Sequence, residues 1–100
     1  MLFKNYEYFL AIAEHQSITK AAEKLYISQP SLSKYLSRLE KSLGIQLFDH
    51  SASPLKLSYA GEYYLSYVKE VTRMEKKLQR DFSEIQAYKR GKITLVLHHD

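Results

Sequence analysis

Cysteine is absent from this 100-residue chain. That excludes disulfides and thiolate metal sites, and it fits a reducing cytoplasm. Glycine is scarce. Gly44, Gly61 and Gly91 stand alone, so the chain has no glycine-rich phosphate loop. No apolar run approaches the roughly 18 residues that a membrane span requires. The N-terminus, MLFKNYEYF, lacks the layout of a signal peptide and reads as the start of folded structure. A strong excess of one charge is missing too: the net charge of +4 suits a polyanionic partner but does not demand one. Hydrophobic residues make up 45% of the chain, too many for disorder by composition. A chain of this length holds one small domain, with or without an extended arm.

Catalytic constellations are lacking as well. Ser31-Leu32-Ser33-Lys34 fits the S-x-x-K nucleophile pattern, yet it has no S-D-N or K-T-G companion, and the chain is too short for that fold. His98 and His99 beside Asp100 lack the spacing of a formed metal site. His15, at the end of a helical pattern, reads as a helix C-terminal cap and not as a ligand. The sequence therefore predicts no catalytic residue, no metal and no cofactor.

What is present concentrates in residues 17–44, SITKAAEKLYISQPSLSKYLSRLEKSLG. Ile18, Ala21, Ala22 and Leu25 recur at i, i+3, i+4 and i+7, the mark of a short amphipathic helix. Ser17 is its N-cap, and the alanine pair lets another helix pack close. The pattern stops after Leu25. Ser28 then caps a second helix whose first turn holds Pro30, where a missing N–H costs nothing. Only Tyr26 and Ile27 separate Leu25 from Ser28, so the two helices must cross steeply and Tyr26 must accept the turn geometry. On the second helix Leu32, Leu36, Leu39 and Leu43 share one face, with Tyr35 at its edge. Pro30, Lys34, Ser37, Arg38 and Lys41 share the other. Gly44 ends the helix, with Ile45 expected to fold back onto it. A charged helix face most simply meets water, and this helix alone does not decide otherwise. Its neighbours do: two helices at a steep crossing, the second with a cationic free face, form a helix-turn-helix that sets a recognition helix in the DNA major groove.

The flanks complete a domain. Tyr6, Phe9, Leu10 and Ala13 place an amphipathic helix over residues 3–14, whose aromatic stripe reads as core. After Gly44, Ile45 and Leu47, then Leu55 and Leu57, alternate with polar residues as strands do, around the turn-prone DHSASP. Two short strands with a polar tip make a wing, which either closes the core or reaches the DNA backbone or minor groove. Lys4, Lys20 and Lys24 balance Glu7, Glu14 and Glu23 up to residue 27, whereas Lys34, Arg38, Lys41 and Lys56 outnumber Glu40 and Asp49 over residues 28–58. So modest an excess calls for two copies acting together.

A long helix follows. Residues 59–89 hold no proline, and their one glycine, Gly61, sits in the first turn after the N-cap Ser58. Such a helix spans about 46 Å, more than a small head can cover. Tyr64, Tyr67, Val71, Met74, Leu78, Ile85 and Tyr88 fit an a/d heptad. Asp81 interrupts it, and Phe82 fills the seam. Lys69, Glu70, Arg73, Glu75, Lys76, Lys77 and Glu84 lie between them, so the helix is expected to pair with a second copy. The rival from another class is a helical head on a coiled coil, a protein-interaction module without DNA function.

The whole order resembles the N-terminal part of LysR-type transcriptional regulators, over residues 3 to about 97. The resemblance rests on SITKAAEKLYISQPSLSKYLSRLEKSLGIQLFDH and on LKLSYAGEYYL, in which the run from AA through QPSLS to LE..LG..LF is specific. It implies a mainly α fold: a winged helix-turn-helix of three helices and a two-stranded wing in residues 1–58, then a linker helix for dimerisation in 59–89. Residues 90–100 would be a hinge and the first strand of an effector-binding domain, with Ile93, Leu95 and Leu97 alternating. The chain would then be a fragment without its sensor domain. The implied partners are double-stranded DNA with an inverted repeat, a second copy, tetramers being left open, and a small-molecule effector bound only by the missing domain. The implied location is the bacterial cytoplasm, with no membrane.

Roles carry over position by position. Gln29, Pro30, Ser31, Ser33 and Lys34 match groove-facing positions, where Gln suits an adenine edge and Lys a guanine edge. Ser17, Thr19, Ser28 and Arg38 match backbone-contacting positions, and Ser37 and Lys41 join them from the same free face. His50, Ser51, Ser53 and Lys56 form the wing. Tyr64, Tyr67, Val71, Met74, Leu78, Phe82 and Ile85 form the dimer seam. One departure stands out: the family usually has Arg where this chain has His50, and Arg is the strong device in a narrow minor groove. Weaker wing contact follows, gaining strength if His50 protonates near its usual value of about 6.5. Ser58 replaces the usual Thr and keeps the capping hydroxyl.

Overall fold

The computed structural model describes residues 5–90. The elements run in the order α1 (Tyr6–His15), α2 (Ile18–Leu25), α3 (Gln29–Leu43), β1 (Phe48–Asp49), β2 (Lys56–Leu57) and α4 (Tyr59–Lys89). The chain divides into two compact units, Met1–Ser66 and Tyr67–Asp100. The candidate strand around Ile93, Leu95 and Leu97, and the His98-His99-Asp100 end, lie outside the described residues. So does the start of the first helix expected at residue 3.

The first unit, hereafter the head, is built around Phe9. That residue is fully buried, with the Phe48 ring centroid at 5.5 Å and the Tyr64 ring edge-on at 4.8 Å. Ile12, Leu32, Leu36 and Leu47 are buried with it, and Ala21 and Ala22 close the α2 face. The buried face of α1 is thus centred on Phe9 and Ile12, not on Tyr6, Leu10 and Ala13, which are half-buried. The α3 leucine stripe fades towards its end: Leu39 is half-buried and Leu43 exposed.

Local chemistry sets the helix ends. Ser17 Oγ accepts from the Lys20 N–H at 3.1 Å, and Ser28 Oγ accepts from the Ser31 N–H at 3.2 Å. Both are N-caps, as the sequence requires. The helix α2 ends in a Schellman closure: the Tyr26 N–H donates to the Glu23 carbonyl and the Ile27 N–H to the Ala22 carbonyl. Gly44 and Ile45 close α3 in the same way, onto the Lys41 and Glu40 carbonyls. Ile45 does not fold back to bury itself, however; the closure is made by backbone bonds alone and 53% of the residue stays exposed. The residue that caps α1 is Gln16, in the left-handed region, with His15 in the last turn before it.

Tyr26 holds φ 59 and ψ 40, a left-handed conformation that glycine adopts without cost and a side chain does not. The residue is 94% exposed, so no burial offsets the strain. Strain there is about 1–2 kcal/mol, against about 0.5–1 kcal/mol of extra chain entropy lost by glycine. Tyr26→Gly is therefore expected to stabilise the head by about 0.5–1 kcal/mol, read as a rise in thermal midpoint; a fall would mean that the tyrosine ring contributes contacts of its own.

The wing is an antiparallel pair with Phe48 opposite Leu57 and Asp49 opposite Lys56. The first strand lies later than the alternation of Ile45 and Leu47 suggests. Leu47 and Phe48 are both buried, so the backbone here does not alternate in and out. Two bonds tie the wing to the end of α1: the Leu55 N–H donates to the Gln16 carbonyl at 3.0 Å, and Gln16 Nε2 donates to the Leu55 carbonyl at 3.3 Å. At the tip, the Ser51 hydroxyl and N–H both donate to Asp49 Oδ1, at 2.6 and 3.0 Å. They hold the Asp49 carboxyl below the usual aspartate range.

The helix α4 spans 31 residues, Tyr59–Lys89, as its composition predicts. Ser58 Oγ caps it, accepting from the Gly61 N–H at 3.0 Å while donating to the Gln46 carbonyl at 2.7 Å. In the second unit Val68 is fully buried, and Tyr67, Met74, Leu78 and Phe82 are each between 49 and 58% exposed. Val71 and Ile85 are half-buried. Glu70 pairs with Arg73, and Lys77 with Asp81 at 3.0 Å. The interruption that Asp81 makes in the heptad is thus an exposed i, i+4 ion pair, worth a few tenths of a kcal/mol.

Candidate nucleic-acid interface

The exposed side of α3 carries the predicted site. Gln29, Pro30, Ser31 and Lys34 are exposed on its first turns, and Ser33 is half-buried beside them. Ser37, Arg38 and Lys41 continue the exposed row. Among the described residues, Lys34, Arg38 and Lys41 have no acidic partner within ion-pair distance; the ion pairs there are His50–Glu40, Arg73–Glu70 and Lys77–Asp81. Exposed lysines and arginines with no internal partner are open to an external anion.

Lys34 and Arg38 flank a shallow groove between the start of α1 and the face of α3. Asn5, Tyr8, Ser31, Tyr35, Leu39 and Ser42 line the rest of it. Tyr35 is set edge-on against Tyr8, ring centroids 5.3 Å apart. Burial pushes the Tyr35 phenol far above its usual value, with Tyr64 and Glu7 adding to the effect. The charged side chains that line the groove are Lys34 and Arg38.

Hydroxyls organise the first turn. Ser28 Oγ donates to Ser31 Oγ at 2.8 Å while capping the helix, so Ser28 is occupied and the Ser31 hydroxyl proton remains to be donated. Gln29 Nε2 donates to Ser33 Oγ at 2.8 Å. At the start of α2, Ser17 is engaged as a cap, and Thr19 and Lys20 are exposed.

The acidic residue on α3 faces away from this row. Glu40 Oε2 accepts from the Leu47 N–H at 2.7 Å and the Phe48 N–H at 3.2 Å, and His50 Nε2 lies 2.9 Å from Oε1. Its charge is spent on the root of the wing. Glu40 was not among the sequence candidates, because no periodicity marks it. Its one signal is its place in the LE..LG..LF run. The same contact changes the reading of His50. Its Nε2 is engaged by Glu40 and so braces the wing instead of reaching outward. Ser51 likewise turns its hydroxyl onto Asp49, leaving Ser53 and Lys56 exposed on the wing.

Of the seam residues, Tyr64 has its ring against Phe9 inside the head. Tyr67, Met74, Leu78 and Phe82 are exposed along α4, as are Tyr59, Tyr63 and Tyr88. No helix among the described residues is long and apolar enough to cross a membrane.

Known proteins share this arrangement. The chain is 43% identical over 67 residues to the HTH-type transcriptional regulator BenM of Acinetobacter baylyi, covering 67% of this chain and 22% of that protein. It is 34% identical over 90 residues to the transcriptional activator CmpR of Synechocystis, covering 90% of this chain and 30% of that protein. The fold matches the crystal structure of the BenM DNA-binding domain with benA site 1 DNA at a TM-score of 0.81 and 34% identity, over 87% of this chain and 98% of that one. It matches full-length BenM at a TM-score of 0.76 and 35% identity, over 83% of this chain and 27% of that one. The chain thus spans less than a third of the length of these two curated relatives. BenM and CmpR are regulators of transcription. Residues 3–62 match the profile of the bacterial regulatory helix-turn-helix proteins of the lysR family, and the chain belongs to that family.

Proposed function

We propose that this chain is the DNA-reading and dimerising part of a bacterial transcription regulator that acts without catalysis in the cytoplasm. Residues 1–58 serve as the winged helix-turn-helix, 59–89 as the linker helix, and 90–100 lead into an effector-binding domain. Two copies pair through Tyr67, Val71, Met74, Leu78, Phe82 and Ile85 and place two α3 helices on an inverted repeat. The observation that carries this reading is the row of Lys34, Arg38 and Lys41 beside a polar first turn, without an acidic partner among the described residues. The BenM DNA-binding domain, a relative with the same fold, is known in complex with DNA.

Within this reading Gln29 and Lys34 address base edges, with Pro30, Ser31 and Ser33 beside them, and Arg38 and Lys41 address phosphates. Lys34→Ala is expected to cost about 1–3 kcal/mol of affinity and to relax preference at one operator position. Arg38→Ala is expected to weaken all sequences alike and to reduce the salt slope by about one. Titration of both variants against matched and scrambled duplexes separates the roles, and identical behaviour of the two would sink the assignment.

The decisive experiment is selection from a random duplex pool at physiological salt, with the purified chain first checked for dimerisation. An enriched inverted repeat, bound with an affinity that falls steeply with salt, is the expected result. A folded dimer that enriches nothing, and whose weak DNA binding is insensitive to salt, would favour the protein-interaction module instead.

A further inference from the structure

The first turn of α3 contains a contact that general DNA binding does not need. Gln29 Nε2 donates to Ser33 Oγ at 2.8 Å, one helical turn along. Gln29 is exposed and Ser33 half-buried, so the more anchored side chain holds the freer one. We propose that Ser33 is a positioning residue: its hydroxyl fixes the Gln29 carboxamide so that this glutamine selects adenine over guanine at one position of each half-site. The inference rests on the reading of α3 as the recognition helix and deepens it.

The chemistry follows from donor counting. A glutamine amide has two N–H donors and one carbonyl acceptor. In the major groove adenine offers an acceptor at N7 and a donor at N6, while guanine offers two acceptors, N7 and O6. A freely rotating glutamine can meet adenine with one N–H and its carbonyl, or guanine with both N–H groups. Once one N–H is held by Ser33, a single N–H and Oε1 remain to face outward. That pair complements adenine. Against guanine it sets Oε1 opposite O6, acceptor against acceptor, with no second donor to relieve the clash.

Preorganisation adds to the effect. Glutamine is flexible, and ordering it on binding normally offsets part of the contact it makes. Ser33 orders it beforehand through the 2.8 Å bond to Nε2. The hydroxyl thus acts on specificity through Gln29 without needing to touch a base.

The test uses the 100-residue chain and duplexes carrying each of the four base pairs at every half-site position. The Gln29→Ala variant first identifies the position that Gln29 reads. There, Ser33→Ala is expected to lower the preference for adenine over guanine about tenfold, the scale of one well-placed base contact. Ser33→Thr, which keeps the hydroxyl, is expected to retain it. The loss in Ser33→Ala should be confined to the position that Gln29 reads, with the base preferences at the other half-site positions kept. In the Gln29→Ala background, Ser33→Ala should have no further effect at that position. Three results would overturn the proposal: Ser33→Ala keeping the full adenine preference, additive effects of the two variants, or equal weakening on every sequence. Failure of the underlying reading looks different, since the unmodified chain would then enrich no motif at all.

Discussion

Replacing Gly61 with alanine is expected to destabilise the head by about 2 kcal/mol and to lower its thermal midpoint by about 10 °C. Two effects compete. Gly61 lies inside α4, where alanine is the better helix former by about 1 kcal/mol, so propensity alone predicts stabilisation. Packing predicts the opposite. A Cβ at position 61 would overlap the Leu47 carbonyl oxygen and lie 2.9 Å from both the Leu47 carbonyl carbon and Leu57 Cδ2. The Leu47 backbone cannot step aside. Its N–H is held by Glu40 at 2.7 Å, its carbonyl accepts from the Ser58 N–H at 2.9 Å, and its side chain is buried. A clash against pinned backbone belongs at the upper end of overpacking costs, about 3 kcal/mol, and outweighs the gain. The control is Glu62→Ala, at an exposed position of the same turn. Thermal unfolding of the two variants measures the difference. A Gly61→Ala midpoint at or above that of the unmodified chain would mean that α4 does not pack this closely on Leu47.

Periodicity could not have supplied that result. In the sequence Gly61 reads as a weak helical residue near an N-cap, and its neighbour across the interface is 14 positions away. The elements themselves were legible because each is signalled locally. Ser17 and Ser28 announce their helix starts, Gly44 an end, and the absence of proline from 59 to 89 the long helix. The structure places all four where those signals point. Errors arose where burial depends on partners distant in sequence. Ile45 and Leu47 looked like one alternating strand, but the Glu40 carboxylate draws the Leu47 and Phe48 amides inward together, so the strand starts later and Ile45 stays in water. Ile12 belongs to the core because Phe9 turns α1 by part of a turn against Phe48 and Tyr64, a rotation that four matching apolar positions cannot fix.

The candidate site was legible to a similar depth. The cations of α3 follow from helical spacing once the leucines claim the other face. What the spacing does not carry is which polar side chains are already engaged. Ser28, Ser31, Gln29 and Ser33 look equivalent as a list of groove-facing residues. In three dimensions Ser28 is committed to capping and to Ser31, and Gln29 to Ser33. His50 stands where the family usually has arginine, and its Nε2 is turned back to Glu40.

That carboxylate is the second place where one substitution should have a large effect. The Glu40 backbone carbonyl accepts from both the Gly44 and Ile45 N–H groups, closing α3, and its side chain then reaches the Leu47 and Phe48 N–H groups and His50. One residue thus fixes both the reversal after α3 and the direction in which the wing leaves it. The side chain is 11% exposed, so water cannot readily replace it. Glu40→Ala keeps the backbone bonds but strips two backbone donors of their acceptor; at about 1.5 kcal/mol for each, the expected loss is about 3 kcal/mol. Glu40→Gln separates hydrogen bonding from charge. Its carbonyl oxygen can still accept from both N–H groups, and its amide can donate to a neutral His50 ring, so a loss of about 1 kcal/mol is expected. His50→Ala, at the half-exposed end of the contact, should cost less than 1 kcal/mol. Denaturant unfolding ranks the three variants, and amide hydrogen exchange locates the damage. In the unmodified chain the Leu47 and Phe48 amides should be protected; in Glu40→Ala they should exchange at the rate of the wing tip, while the amides inside α3 remain slow. If Glu40→Ala unfolds within 0.5 kcal/mol of the parent with both amides still protected, the wing is held by the packing of Leu47 and Phe48 alone, and the carboxylate merely fills the space beside them.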